Sequence, residues 1–300
     1  RCASGPITDF DNEGRPIVQS NPATPYDMGA DEFSVPRVGI NGSGCIYGTI
    51  QQAVNGAGDG DTLQIAEGVH FESVDIYGKD VVLNGGYDDA DCATAGAGAT
   101  RVDGSLGSGS TFDVDDATVT LRQLGITGGS GTGGGVATAS HARVTLDGTE
   151  VYENHGTYGG GVYVGTTSAV TLTNGSSLHD NTASLYGGGA RVWGTLRSLD
   201  TSSDIDDNAA AHGGGGISVM GGTLHLIEAD LSGNQATAAD GRGGAILLEN
   251  GAVMTMTGNV WVYDGNQAYD GAGIYADEAT VSLGTATIGR NSAVHRGGGV

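Results

Sequence analysis

The hydrophobic positions of this chain repeat at a nearly constant interval, and glycines mark each repeat. Three small residues, mostly glycine, precede one aliphatic residue or alanine in seven copies. Successive copies are 26, 28, 27, 29, 28 and 26 residues apart. They end at Val136, Val162, Ala190, Ile217, Ile246, Ile274 and Val300. Intervals of this length are typical of solenoid repeats.

A second motif keeps the same phase, with a hydrophobic residue, two variable residues and then asparagine. The asparagines are Asn154, Asn181, Asn208, Asn234, Asn266 and Asn291. Each repeat also holds three short strand-like segments, as at 161–164, 169–173 and 177–179. No hairpin turn recurs in register between them, so each strand is expected to pair with its equivalent in the next repeat.

The two motifs together predict an all-β fold, a right-handed single-stranded parallel β-helix. Stacked strands lie about 4.8 Å apart, and parallel crossovers are right-handed in nearly all proteins. The aliphatic residue after the glycines is expected to point inward, and the asparagines to form a ladder along the stack. Ala190 interrupts the aliphatic series, so we expect a thinner core there that Trp193 fills.

The N-terminal third predicts a cap for this β-helix. Ile50, Ala53, Val54 and Ala57 are spaced as one face of a helix, which predicts a capping helix at 49–57. It begins a β-helix that spans 49–300, with regular coils from about residue 124. The glycine-containing stretch 34–48 is expected to be a linker. Because the chain stops within a repeat, we expect the β-helix to continue in a longer polypeptide that carries an export signal and any anchor elsewhere.

The charge balance limits the partners of the chain. Its 12 basic and 35 acidic residues give a formal charge of −23. Such a surface repels phosphate backbones and anionic lipids, so binding of nucleic acid is not expected. No run of about twenty apolar residues is present, so we expect no insertion of this segment into a lipid bilayer.

Three cysteines suggest one internal disulfide. Cys45 precedes the predicted capping helix, and Cys92 follows the first strands, so a bridge between them would tie the cap to the first coils. Free buried thiols are the alternative. Cys2 is then left to pair outside this fragment or to remain free. No Cys-x-x-Cys pair indicates a zinc site.

The chain offers few residues for catalysis, and we expect neither catalytic nor cofactor-binding residues. The nearest candidates for an acid–base site are Asp206 and Asp207 with His212, which follow one another in one coil. His212 and His295 occupy equivalent positions, but three coils separate them by about 14 Å, too far to share a metal. Solvated surface histidines are the simpler interpretation, which favours a protein that is not an enzyme.

An acidic residue precedes the repeat asparagine in three consecutive coils. These residues are Glu153, Asp180 and Asp207. In a parallel stack their carboxylates would lie about 5 Å apart, close enough to repel one another or to share a cation. Oxygen ligands favour Ca²⁺. The sequence thus indicates either a Ca²⁺ stripe or a solvated acidic stripe.

The paired motifs resemble those of the chlamydial polymorphic outer membrane protein family, whose repeats are Gly-Gly-Ala-Ile and Phe-x-x-Asn. Residues 243–246 match the first motif, whereas Val, Leu, Ile or Tyr replaces the Phe of the second. The likeness covers about 124–300 and implies an autotransporter-passenger-like β-helix involved in surface display and adhesion. The opening coils between 57 and 87 are similar to those of pectate-lyase-like domains. Residues 1–33 resemble the segment that closes many bacterial β-helix repeat units, here of a preceding unit.

We therefore expect an extracellular structural or adhesive protein displayed on a bacterial surface. Such a protein could be one unit of a tandem array or filament. Its partner would be a second copy or another cell-surface protein. The alternative is a β-helix that binds or cleaves polysaccharide, as a lyase or hydrolase. Tyr152, Tyr158, Tyr163 and Tyr186 lie in neighbouring coils and could stack on sugars, but tyrosines also favour strands in general.

Overall fold

The computed structural model describes residues 37–199 and 203–300. Residues 37–300 form one compact unit. Its strands build four sheets, which are parallel apart from one antiparallel strand at the N-terminal end. The chain is therefore a parallel β-helix, and the predicted fold class is confirmed. The expected closing segment at 1–33 and Cys2 lie outside the described residues.

The strands are numbered in chain order. Sheet 1 comprises β1 (Val38–Ile40), β2 (Asp61–Ala66), β5 (Val81–Tyr87), β8 (Thr118–Arg122), β11 (Arg143–Asp147), β15 (Ala169–Thr173), β19 (Thr195–Ser198), β23 (Thr223–Ile227), β27 (Val253–Thr257) and β31 (Thr280–Leu283). Sheet 2 comprises β3 (Gly68–Phe71), β6 (Thr100–Asp103), β9 (Leu124–Thr127), β12 (Glu150–Tyr152), β16 (Ser177–His179), β20 (Ser203–Asp206), β24 (Ala229–Ser232), β28 (Trp261–Tyr263) and β32 (Thr287–Gly289).

The other two sheets are narrower. Sheet 3 comprises β13 (His155–Tyr158), β17 (Thr182–Tyr186), β21 (Ala209–Ala210), β25 (Gln235–Ala236), β29 (Gln267–Asp270) and β33 (Ser292–Arg296). Sheet 4 comprises β4 (Val74–Tyr77), β7 (Phe112–Asp115), β10 (Val136–Ala139), β14 (Val162–Val164), β18 (Ala190–Val192), β22 (Ile217–Met220), β26 (Ile246–Glu249) and β30 (Ile274–Ala276). The helices are α1 (Ile50–Gly56) and a 3-10 turn at Gly104–Leu106.

Each regular coil passes through sheets 1, 2, 3 and 4 in that order. One coil runs through β11, β12, β13 and β14, and the next begins with β15. The sequence predicted three strands in each repeat. The fourth is the strand of sheet 3, which is two to five residues long. Its inward residue is glycine or alanine, as at Gly156, Ala183 and Ala210, so no aliphatic residue marks it in the sequence.

Alternate residues of the strands point inward and form a long apolar core, beside which Ala236, Ala268 and Ala272 form a small separate cluster. The residue that ends each glycine motif is at most 1% exposed in the first six copies, from Val136 to Ile274, including Ala190. Trp193 does not fill the core beneath Ala190, because it is 37% exposed. That expectation was wrong for a geometric reason. Side chains alternate along a strand, and Trp193 follows the inward-pointing Val192 by one residue.

The six asparagines form a ladder along the stack, as the sequence predicts. The side-chain amide of each of the first five donates to the Oδ1 of the next, at 2.8–3.1 Å. Each of the six also donates to a backbone carbonyl of the preceding coil, at 2.7–3.0 Å. The first five asparagines are completely buried. The ladder therefore satisfies its own polar groups inside the solenoid and ties each coil to the next.

The glycines form the corner between sheets 3 and 4. From Gly159 onward, the first glycine of each copy adopts a positive φ, as at Gly187 with 72°. The second approaches the next coil closely: a β-carbon on Gly188 would collide with the Gly215 carbonyl and lie 2.5 Å from the Ala209 carbonyl oxygen. Only glycine fits both requirements without displacing the backbone.

The N-terminal end is capped, although not entirely as predicted. Helix α1 buries Ile50, Ala53 and Val54 against the first coils, which confirms the capping helix. The expected linker at 34–48 differs from the structure, since the described part of it contains β1, which pairs antiparallel with β2 and buries Val38 completely. Residues 37–48 thus belong to the cap. Within the described ranges, no helix has the length and apolar character needed to cross a membrane.

A disulfide joins Cys45 to Cys92, with the two Cα atoms 5.0 Å apart. The structure thus forms the bridge that the sequence suggests, and not free thiols. Cys45 lies in the cap and Cys92 in the loop that follows β5. The bond closes 47 residues of chain, so it restricts the unfolded state and holds the cap on the solenoid.

Candidate functional site

A buried arginine lies where sheet 3 meets sheet 4. Arg191 is the outward-facing residue of β18, yet it is only 2% exposed. In the outer row of sheet 4 it stands between Tyr163 and Ser218. Tyr186 of sheet 3 lies over it. The fold thus places one cation in a covered position on the outside of the solenoid wall.

The partners of this guanidinium are aromatic rings and one hydroxyl. Its Cζ lies 4.9 Å from the centroid of the Tyr186 ring and 5.3 Å from that of Trp193. Nη1 donates a hydrogen bond to the Ser218 hydroxyl. Nε is buried and forms no hydrogen bond with the described residues. Among the described residues, no Asp or Glu forms an ion pair with Arg191.

The electrostatic setting is unusual for so acidic a chain. Burial lowers the pKa of the Arg191 guanidinium, and the charge of Glu249 is the largest influence in the opposite direction. Arginine nevertheless stays protonated in proteins. A buried cation without a paired anion is costly. This position therefore has unused capacity to bind an anion.

Tyrosines and a tryptophan surround this cation. Tyr158 pairs in register with Tyr186, and Tyr163 pairs with Arg191 itself. The three tyrosines are half-buried, while Trp193 is exposed. We call these five residues, Tyr158, Tyr163, Tyr186, Arg191 and Trp193, the aromatic–arginine cluster. Three of the four tyrosines that the sequence grouped meet here.

The fourth tyrosine lies on the outer face of sheet 2. Tyr152 stacks on His179, with ring centroids 5.3 Å apart and an interplanar angle of 1°. His179 Nδ1 lies 2.9 Å from a carboxylate oxygen of Asp180. The structure thus divides the predicted aromatic group between two faces of the solenoid.

Beside this pair, sheet 2 carries unpaired carboxylates. Glu150, Ser177, Asp204 and Asp230 form one row of aligned residues, and Asp206 lies two residues along from Asp204. We call Glu150, Asp204, Asp206 and Asp230 the acidic face. Burial raises the pKa of Asp204, Asp206 and Asp230, and neighbouring carboxylates raise the pKa of Asp206 and Asp230 further. Like charges directly opposite on paired strands destabilise a sheet.

Replacing Asp204 by asparagine should therefore stabilise the fold at neutral pH, by about 0.2–1 kcal/mol, because it removes the repulsion with Asp230. The folded pKa of Asp204 is raised, so its destabilising effect is present above that pKa and disappears as the pH falls toward the ordinary value of 3.8. The midpoint temperature of thermal unfolding of Asp204→Asn should thus be higher than that of the wild type at neutral pH and equal to it in acid. Asp264→Asn is the control, because Asp264 pairs with Arg290 at 3.5 Å and should give no gain. An equal gain from both variants would contradict this account.

The acid–base group that the sequence singled out does not form. His212 lies 3.7 Å from a carboxylate oxygen of Asp240 and packs against Tyr186, with ring centroids 5.7 Å apart. Within the described residues it makes no hydrogen bond or ion pair with Asp206 or Asp207. His295, its equivalent, pairs with Asp270 at 3.0 Å.

The predicted Ca²⁺ stripe is not assembled either. Glu153, Asp180 and Asp207 do occupy equivalent corners, with φ of 51°, 54° and 52°. Two of the side chains turn to different neighbours: Asp180 to His179, and Asp207 to Gly233 of the next coil. In the described part of the chain, no three His, Cys, Asp or Glu side chains form a group able to hold a metal ion.

Comparison of this chain with protein families, with curated proteins and with solved structures found no match.

Proposed function

We propose that this chain is the rod-shaped part of an extracellular adhesive protein on a bacterial surface, and that it binds acidic polysaccharide at the aromatic–arginine cluster. The observation that carries the proposal is Arg191, a buried cation with aromatic neighbours, one hydroxyl partner and a free Nε. The solenoid supplies a rigid support, since the buried ladder fixes neighbouring coils.

The chemistry of the cluster favours a sugar that carries a carboxylate. A guanidinium matches a carboxylate with parallel N–H donors, and such bonds are about twice as strong as neutral ones. The apolar faces of pyranose rings pack against aromatic side chains, which Tyr186 and Trp193 present. Arg191 is only 2% exposed and its guanidinium lies against Tyr186 and Trp193, so one of these rings has to turn for a ligand oxygen to reach Nε. A polymer of uronic acids combines both features.

Two further features support an extracellular location. The Cys45–Cys92 disulfide is typical of proteins in oxidising surroundings. The formal charge of −23 favours solubility in the open medium. The resemblance of the repeats to a family of surface proteins agrees with both. Labelling of intact cells with an antibody against the chain tests the location, and purely intracellular protein would refute it.

The binding site can be tested with its own tryptophan. The chain has two tryptophans, and Trp261→Phe leaves Trp193 as the reporter. Adding polygalacturonate to this variant should change the Trp193 emission, whereas neutral dextran should not. Adding Arg191→Gln in this background should weaken binding by at least about tenfold, because it removes a charge-assisted hydrogen bond.

Two controls separate binding from folding. Arg191→Lys keeps the charge but loses the forked donor geometry, so it should also bind weakly. Arg242→Gln is the matched control: Arg242 is exposed and lies over Tyr275 at 5.1 Å, so its loss should leave binding unchanged. Circular dichroism should show the same fold in all variants. Undiminished binding by folded Arg191→Gln, or equal binding of dextran, would refute this site.

A further inference from the structure

Sheet 1 carries two unpaired guanidinium groups on its outer face. Arg143 and Arg197 are exposed, and neither forms an ion pair with the described residues. Both line a recess of about 330 Å³, whose other walls include Thr118, Thr145 and Thr171. On a chain with 35 acidic and 12 basic residues, two unneutralised cations on one face stand out.

The other cationic groups of this face add little charge at neutral pH. Arg122 is neutralised by Asp147, at 2.6 Å. His225 pairs in register with Arg197, and burial followed by the charge of Arg197 lowers its pKa. Arg143 and Arg197 therefore dominate the face at neutral pH, and His225 joins them only in acid. We call Arg143, Arg197 and His225 the basic face.

The basic face and the acidic face have the same spacing along the solenoid. Arg143 on β11 and Glu150 on β12 share one coil. Arg197 on β19 and Asp204 on β20 belong to the second coil after it. In the coil after that, His225 on β23 is followed by Asp230 on β24.

This agreement makes the two faces complementary between copies. The coil that carries Arg143 and Glu150 and the coil that carries Arg197 and Asp204 are two coils apart. At about 4.8 Å per coil, they are separated by about 10 Å along the axis on both faces. Two rods that lie side by side, parallel and without axial stagger, can therefore place Arg143 opposite Glu150 and Arg197 at the same axial level as Asp204. Arg143 aligns with Thr195, so Arg197 stands two residues, about 7 Å, across the sheet from the row of Arg143, and its long side chain has to span that offset to reach Asp204. Asp206 extends the acidic side across the width of sheet 2.

We propose that copies of this chain associate side by side in this register, with the basic face of one against the acidic face of the next. The contact joins two different faces, so each copy keeps one free face of each kind and further copies can add. Such an interface relieves the repulsion between Asp204 and Asp230. Its ion pairs lie near the surface, so salt should weaken it. This assembly uses sheets 1 and 2 and does not require the saccharide site of sheets 3 and 4.

Charge reversal of each face tests the proposal on the purified chain. The variant R143E/R197E has two acidic faces. The variant E150K/D204K/D230K has two basic faces, because three lysines then outnumber Asp206 on sheet 2. Sedimentation velocity at low salt should show wild-type oligomers that grow with concentration and dissociate at high salt. Each variant alone should sediment as a monomer. An equimolar mixture of the two should assemble again, because unlike faces then meet in alternation.

Several results would overturn the proposal. Wild type that stays monomeric at low salt, variants that assemble on their own, or a mixture that stays monomeric would each do so. Arg242 lies outside sheets 1 and 2, so the variant R242E should assemble as the wild type does. If R242E fails to assemble, the added negative charge, and not the loss of a particular face, prevents association. If R143E/R197E instead abolishes binding of polygalacturonate by a monomeric wild type, the basic face binds a polyanion and not a second copy. Surface labelling is independent of these outcomes, and the Trp193 titration of Arg191→Gln shows separately whether the aromatic–arginine cluster binds polygalacturonate.

Discussion

Replacement of Asn208 by alanine is expected to lower the free energy of unfolding by roughly 3 kcal/mol. Asn208 is completely buried in the middle of the ladder. Its Nδ2 donates to the Leu178 carbonyl at 2.8 Å, and its Oδ1 accepts the Asn181 backbone N–H at 3.0 Å. Alanine leaves both groups buried and unpaired, and each such loss costs about 1–3 kcal/mol. Urea unfolding followed by circular dichroism measures the change.

Asn259→Ala is the matched control for this substitution. Asn259 is exposed and lies just before β28, outside the ladder. Its replacement should change the stability by less than about 0.5 kcal/mol, as surface substitutions usually do. Equal effects at the two positions would mean that the ladder does not stabilise the solenoid.

Gly188→Ala should destabilise the chain by a similar amount, about 3 kcal/mol or more. The new β-carbon would collide with backbone atoms of the next coil, at Gly215 and at Ala209. Backbone cannot rotate away as a side chain can, so the corner between sheets 3 and 4 must open. Thermal unfolding should show a lower midpoint, with loss of the near-ultraviolet signal of the neighbouring Trp193.

Gly289 provides the control for this glycine. A β-carbon there meets no atom within 4 Å, and its φ is not in the positive region. Gly289→Ala should be neutral or stabilise by up to about 1 kcal/mol, because alanine restricts the unfolded chain. If both alanines were tolerated equally, close approach of the coils would not explain the repeated glycines.

The sequence predicted those features that recur in every coil. The asparagine ladder and the inward aliphatic residues follow from one spacing, because each coil must present the same groups to the next. Strand β1 could not be found in this way, since it pairs antiparallel with β2 and occurs once. The third sheet was missed because its inward residues are glycine or alanine, which give no aliphatic signal in the sequence.

The candidate site was harder to predict than the fold. Arg191 looks like a solvated surface residue until its neighbours in adjacent coils are known. Counting 28 residues back to Tyr163 and 27 forward to Ser218 gives its register, but the contact with Tyr186 becomes evident only in the folded structure. Sequence spacing places the acid–base and calcium candidates in equivalent coils but does not fix where their side chains turn, and the structure does not bring them together.

The stacking of coils also determines how far along the chain its contacts reach. Partners in the ladder are 25 to 32 residues apart, which is about a tenth of the 300-residue chain. Most β proteins pair segments that are much more distant, and they fold slowly for that reason. In this chain a new coil needs only the one before it as a template. The end held by the disulfide can therefore act as a nucleus from which folding advances coil by coil.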